Sequence, residues 1–277
     1  MKKAGTVFGR IYMALIMLFL YAPILVLIVF SFNASNSRSL FTGFSTQWYV
    51  ELFHDSMVLE SLYTTLAVSL LAALAATLLG TFASIGFYAM KKRWREPLLA
   101  VNNIPMMNAD IVTGVSLCLL FVAVGRFLGF KNGFGTLLIA HITFNVPYVI
   151  LSVMPKLRQL DRHLVDAAQD LGCTWMQAFW KVIVPEIRPG IVNGALMAFT
   201  MSIDDFIISY FTAGTGAQTL AVTIYSMTKK RVTPEINALS SLLFLTVLVL
   251  LLIVNIRSAQ QEKKRLKAER ALRRTSN

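Results

Sequence analysis

Charge is scarce in this chain, and acid is scarcer than base. Only 14% of the 277 residues are charged against 56% hydrophobic, and Asp plus Glu number 14 against 26 Lys plus Arg. A soluble domain carries roughly 25% charged residues, so a water-exposed globule is excluded. Cysteine is nearly absent: Cys118 falls in an apolar run and Cys173 in a polar connector, which leaves no disulfide framework. The patterns G-x-x-x-x-G-K-[ST], H-E-x-x-H and G-x-S-x-G are missing. Their absence excludes ATP hydrolysis on a phosphate loop, a zinc peptidase and a nucleophile-elbow hydrolase. His54, His141 and His163 stand alone, without a cysteine or second histidine at ligand spacing, so neither a metal site nor a catalytic group is expected. The energy for whatever this chain does must come from elsewhere.

What it has in abundance is long apolar runs. At about 20 residues per crossing, six are long enough to span a bilayer. They lie at about 11–32, 59–90, 97–124, 133–154, 190–211 and 236–256. The expectation is an all-α integral membrane protein with one membrane domain over residues 1–256 and a basic tail over 257–277. The first run follows Lys2, Lys3 and Arg10 and is longer than the apolar core of a cleaved signal peptide, so it is expected to be a retained span. Twenty of the 26 Lys and Arg fall in the N-terminus, Lys91 to Arg95, the connector 155–189 and the tail. The other six are Arg38, Arg126, Lys131, Lys229, Lys230 and Arg231. That bias places both termini in the cytoplasm, with Lys229-Lys230-Arg231 a local exception outweighed by the other connections. The basic excess beside the spans suits anionic lipid headgroups, and nucleic acid is not needed to explain it. Small residues recur at Ala72, Ala76, Gly80 and Ser84, and again at Gly190 and Gly194, spacings that let helix backbones approach closely.

The connector is the most structured polar stretch. Leu164, Ala167, Ala168 and Leu171 fall on one helical stripe, Asp161 can cap its start, and Gly172 can end it in the left-handed conformation. Thr174 and Gln177 stand at capping-box spacing and open a second helix that Pro185 is expected to stop. The product is a helix, a glycine turn and a second helix outside the membrane.

Three acids fall where lipid should be: Asp110, Asp204 and Asp205. A carboxylate in hydrocarbon is costly, so such groups face protein or a water-filled path. Counted at 1.5 Å per residue from the starts of their spans, Asp110 and Asp204 lie about 20 Å deep, at one level. Adjacent helical residues differ by about 100° in direction, so Asp204 and Asp205 cannot both point into one cavity. With no basic residue at that depth, the acids make a site for a cation, which Asn108 and Ser202 can complete by hydrogen bonds. A second reading stays open, in which the acids are structural and cap broken helices beside Pro105. Trp48 can offer a cation-π face on the outer side, although an interfacial anchor is the commoner role.

The series Asp166-Ala167-Ala168, Gly172 after three residues, and Val182-Ile183-Val184-Pro185 after nine more resembles the EAA loop of ABC importer permeases. In that family the pattern is EAA, three residues, G, nine residues, I-x-L-P; Asp here replaces Glu, and valines replace the Ile and Leu. The likeness extends through YAPILVLIVFSFNAS, HITFNVPYV, FTMSIDDFIISYF and PEINAL, and is similar to the second membrane subunit of spermidine/putrescine importers. It implies a type I importer permease fold in the bacterial inner membrane and a coupling helix at about 161–172. Through Asp166, Ala167, Ala168, Gly172 and Pro185 this helix would dock on a separate ATPase. It further implies a homologous permease partner, two copies of that ATPase holding ATP and Mg, an extracytoplasmic polyamine-binding protein, and a polyamine as the cation met by Asp110, Asp204 and Asp205.

Overall fold

In the computed structural model, residues 2–35, 40–230 and 233–275 are described, and they are overwhelmingly helical. The expected outer-side basic residues Arg38 and Arg231 lie outside them. The helices are α1 (Lys2–Phe30), α2 (Gln47–Leu52), α3 (Ser56–Ala89), α4 (Lys92–Met107), α5 (Asp110–Leu128), α6 (Phe134–Gln159), α7 (Arg162–Asp170), α8 (Trp175–Ala178), α9 (Val184–Asp204), α10 (Ile207–Thr212), α11 (Leu220–Lys230) and α12 (Pro234–Thr275), with a π-helical turn at Phe179–Ile183. Among the described residues six helical stretches are long and apolar enough to cross a membrane: Gly9–Phe30, Ser56–Ala89, Asp110–Leu128, Phe134–Gln159, Trp175–Asp204 and Pro234–Ile253. The number matches the expectation; the third span starts later than expected, and the fifth both starts earlier and ends earlier, at Asp204.

The third span was expected to run unbroken from Pro97. Instead α4 ends at Met107, Asn108 and Ala109 adopt extended backbone, and a new helix starts at Asp110. Asn and Asp compete for backbone hydrogen bonds and favour helix ends over interiors, and a run of apolar residues does not reveal that. The fifth span was expected to begin at Gly190, after a stop at Pro185. The helix in fact continues from Trp175 to Asp204. Ahead of Pro185 the chain widens into the π-helical turn, where the Val184 N–H donates to the Phe179 carbonyl, five residues back. The wider turn accommodates the proline ring and its missing N–H, so the helix continues where an α-helical turn would have broken.

The chain forms two compact units. The first comprises Met1–Glu60 and Thr223–Leu248. Its connecting segment after α1 folds around Asn33, whose side chain accepts from the Thr42 N–H at 2.9 Å and donates to the Leu40 carbonyl at 2.9 Å. Phe32 stacks on Phe44 with ring centroids 5.1 Å apart, and the Tyr49 hydroxyl meets the Ser31 hydroxyl at 2.7 Å. The second unit comprises Ser61–Val222 and Val249–Asn277 and holds the main core. Helix α6 is its centre: Val149, Val153 and Leu157 are buried with Ala73, Ala76, Ile187 and Ala198.

Both small-residue stripes end on this helix. A Cβ on Gly80 would lie 2.7 Å from Val149 Cβ, and one on Gly194 would lie 3.1 Å from Val149 Cα. Glycine at these positions lets α3 and α9 approach α6 at backbone distance, and dispersion between close-packed helices replaces the hydrophobic drive that lipid does not supply. Gly194→Leu is therefore expected to cost at least about 2 kcal/mol of overpacking. A lowered thermal midpoint of the detergent-solubilised protein measures it; an unchanged midpoint would contradict the close approach.

Candidate functional site

The three acids expected at depth sit at two helix breaks in the second unit. Asp110 is the first residue of α5, and Asp204 is the last of α9. Asp205 and Phe206 form the break before α10, where Asp205 is extended with φ −68° and ψ 123°. The helix holding Asp110 packs on α10 so closely that a Cβ on Gly114 would meet the Ile207 carbonyl and Ile208 Cα at 3.4 Å.

The neighbouring aspartates do different things. Asp205 accepts from the Ile208 N–H at 3.3 Å and the Ser209 N–H at 2.7 Å, so it caps α10 and satisfies donors that the break would orphan. Its side chain is only 9% exposed. Asp204 and Asp110 are exposed in the isolated chain, and Asn108, the residue that closes α4, is exposed with them. The structural reading thus holds for Asp205, and the open carboxylates are Asp110 and Asp204. Beside Asp204, Phe206 and Tyr210 lie one turn apart with ring centroids separated by 5.7 Å. Carboxylates next to an aromatic surface suit a cation with an apolar stem.

Ser202 was expected to complete the cation site, and it faces the other way. It is 1% exposed, and its hydroxyl lies 2.8 Å from His141 Nδ1 and accepts from Asn145 Nδ2 at 3.0 Å. On the other side of the imidazole, Nε2 lies 3.0 Å from the Ser209 hydroxyl and 3.6 Å from Asp205 Oδ2. His141, isolated in sequence, is fully buried in this cluster. The available signal was its spacing from Asn145, four residues on within an apolar span, which puts two large polar groups on one helix face.

The connector forms the expected turn. Asp161 accepts from the His163 N–H at 3.0 Å, and Thr174 and Gln177 make the reciprocal capping box. Gly172 has φ +87°; the Cys173 N–H reaches the Ala168 carbonyl at 3.0 Å and the Gly172 N–H the Gln169 carbonyl at 2.8 Å, a complete Schellman motif. Asp166 and Ala167 are exposed, and Ala168 is half-buried. The apolar stripe is not buried within the chain: Leu164, Trp175 and Met176 are exposed, and Leu171 is 87% exposed. An apolar patch on a polar connector is a surface open to another protein or to the membrane. Pro185, the fifth residue expected to act in coupling, lies inside the continuing helix. Trp48, in the first unit, is buried, and its Nε1 donates to the Asn33 carbonyl at 2.7 Å, so its ring is packed within the fold and presents no open face.

Residues 76–266 match the family model described as binding-protein-dependent transport system inner membrane component. The putrescine transport system permease protein PotI of Escherichia coli K12 is 38% identical over 252 residues, 90% of each chain. The spermidine/putrescine transport system permease protein PotC of the same strain is 35% identical over 241 residues, 87% of this chain and 90% of that one. Among solved structures, a chain of a bacterial ABC transporter involved in the import of the acidic polysaccharide alginate superposes with TM-score 0.71 at 16% identity, covering 94% of this chain and 96% of the other. A chain of the methionine ABC transporter MetNI gives TM-score 0.58 at 20% identity over 73% of this chain and 94% of that one, and both likenesses show the fold. Six apolar helices, a capped two-helix connector with an open apolar face, and a family match over most of the length agree: the chain belongs to the inner-membrane permease components of binding-protein-dependent transport systems.

Proposed function

We propose that this chain is one of two homologous permease subunits of an ATP-driven polyamine importer, carrying putrescine or spermidine through a path completed by its partner. Two relatives named for these cargoes support the cargo class, and the open carboxylates Asp110 and Asp204 beside Phe206 and Tyr210 supply chemistry that suits it. Ammonium groups meet carboxylates, and methylene stems lie on aromatic surface. An extracytoplasmic binding protein delivers the cargo. ATP and Mg belong to two copies of a separate ATPase on the cytoplasmic side, where both termini of this chain also lie.

The observation that carries the mechanism is one helix. Trp175–Asp204 is a single stretch of 30 residues, about 45 Å at 1.5 Å per residue, with the connector turn at one end and Asp204 at the other. An ATPase gripping Leu164, Leu171, Trp175 and Met176 displaces that end, and a continuous helix transmits the displacement to the acid. ATP binding then shifts the population between two states of the path, because the ATPase dimer fits the connector differently in each. Affinity at the acids stays modest, since cargo must leave.

The test is uptake of labelled putrescine and spermidine into cells expressing this chain with its partner subunits. Uptake is expected to persist when an ionophore collapses the proton gradient while ATP is maintained, and to stop when ATP is depleted. The reverse pattern would instead make the aspartates a proton relay of a stand-alone carrier.

A further inference from the structure

We infer that His141 is a positioning residue that decides which of the adjacent aspartates meets the cargo, by clamping the break between α9 and α10 onto α6; this rests on the polyamine reading of Asp204.

The argument follows the protons. Asp205 accepts from the Ser209 N–H at 2.7 Å, and its Oδ2 lies 3.6 Å from His141 Nε2. With Asp205 ionised, the carboxylate on that side favours a proton on Nε2, which donates to the Ser209 hydroxyl at 3.0 Å. In a neutral imidazole the other nitrogen is then the acceptor. Nδ1 takes the Ser202 hydroxyl proton, and Ser202 in turn accepts from Asn145 Nδ2. The bonds run in a single direction, from Asn145 on α6 through Ser202 on α9, back to His141 on α6, and out to Ser209 on α10, with Asp205 of the break beside them. His141, Asn145 and Ser209 are fully buried and Ser202 nearly so, and in a buried network neighbouring hydrogen bonds strengthen one another.

The geometry gives the relay a task. It ties both sides of the break to one rigid helix, the most buried of the core. Asp205 is thereby kept on the α10 cap, and Asp204, next in sequence and without a role in the relay, is left on the open side. Once the relay is cut, the break moves and Asp204 moves with it.

The experiment measures initial rates of putrescine uptake by the whole complex, corrected for membrane abundance. His141→Leu is expected to raise KM about tenfold with little change in maximal rate. His141→Gln, whose amide carries a donor and an acceptor, should recover most of the loss. Ser209→Ala removes one hydroxyl and tests the same relay if the leucine variant does not reach the membrane. The deciding measurement is the double variant with Asp204→Asn: once residue 204 carries no charge, misplacing it costs nothing more, so KM should match that of Asp204→Asn alone. Multiplying effects, or a change in abundance or maximal rate alone, would overturn the positioning role while leaving the cargo site intact. A silent Asp204→Asn would overturn both.

Discussion

Gly172→Val is expected to abolish uptake while leaving the complex in the membrane. Nothing lies within 4 Å of a Cβ built at this glycine, so space does not limit the substitution. The backbone does: φ is +87°, a region that β-branched residues strongly disfavour. Holding valine there costs about 1–3 kcal/mol, and the chain can avoid that cost by giving up the Schellman bonds of Cys173 and Gly172. Those two bonds set the angle between α7 and α8, and hence the shape of the apolar patch formed by Leu164, Leu171 and Trp175. The transmembrane core contains none of these residues, so folding should survive when coupling is lost. Asparagine, which tolerates the left-handed region, should keep far more activity than valine at the same position. Uptake and ATPase stimulation of the two variants at equal membrane abundance decide the matter. Wild-type uptake by Gly172→Val would remove the connector from the transport cycle.

The second large effect is at the acids, and here neighbouring residues should separate. Asp204→Asn removes an exposed charge that takes no part in capping, so the protein should fold and the loss should appear in cargo binding. A lost charged hydrogen bond is worth about 2 kcal/mol, which is about thirtyfold in KM. Asp205→Asn instead keeps one oxygen, for either the Ile208 or the Ser209 N–H, and turns a donor NH2 toward the other, so it weakens a charge-assisted cap at the break. Its effect should fall on thermal stability and abundance, with the KM of the surviving protein much nearer to wild type. Purified complex in lipid discs, assayed for uptake kinetics and thermal midpoint, distinguishes the two. If Asp205→Asn raised KM and Asp204→Asn did not, the assignment of the open carboxylate would be reversed.

The parts of this molecule legible in sequence are those set by local chemistry or solvent. Six spans follow from the cost of exposing backbone and charge to lipid, which no tertiary arrangement can override. The connector followed from capping rules acting over a few residues: Asp161, Gly172, Thr174 and Gln177 each do what their types and spacing indicated. The close approaches at Gly80 and Gly194 followed from the four-residue repeat, although not their shared target, Val149.

The misses lie where several helices decide together. Pro185 reads as a stop because proline breaks an α-helix; a π-helical turn five residues long accommodates it, and that turn is an adjustment of backbone register invisible to residue types. The break at Asn108–Ala109 is hidden inside an apolar run, and it turns Asp110 from a mid-span residue into a helix start. Ser202 and Asp205 were grouped with the cargo site because they stand beside Asp204 in the chain.

The sequence by itself determined that the protein crosses the membrane as helices, that acids stand in its apolar runs, and that a capped connector with an apolar stripe joins two of them. Only the tertiary structure decided which acid is open. That choice depends on what each side chain can reach across to α6, and His141 meets Ser202 and Ser209 from positions 61 and 68 residues away in the chain. Hydrogen-bond partners so distant in sequence are brought together by packing, and no local pattern encodes them.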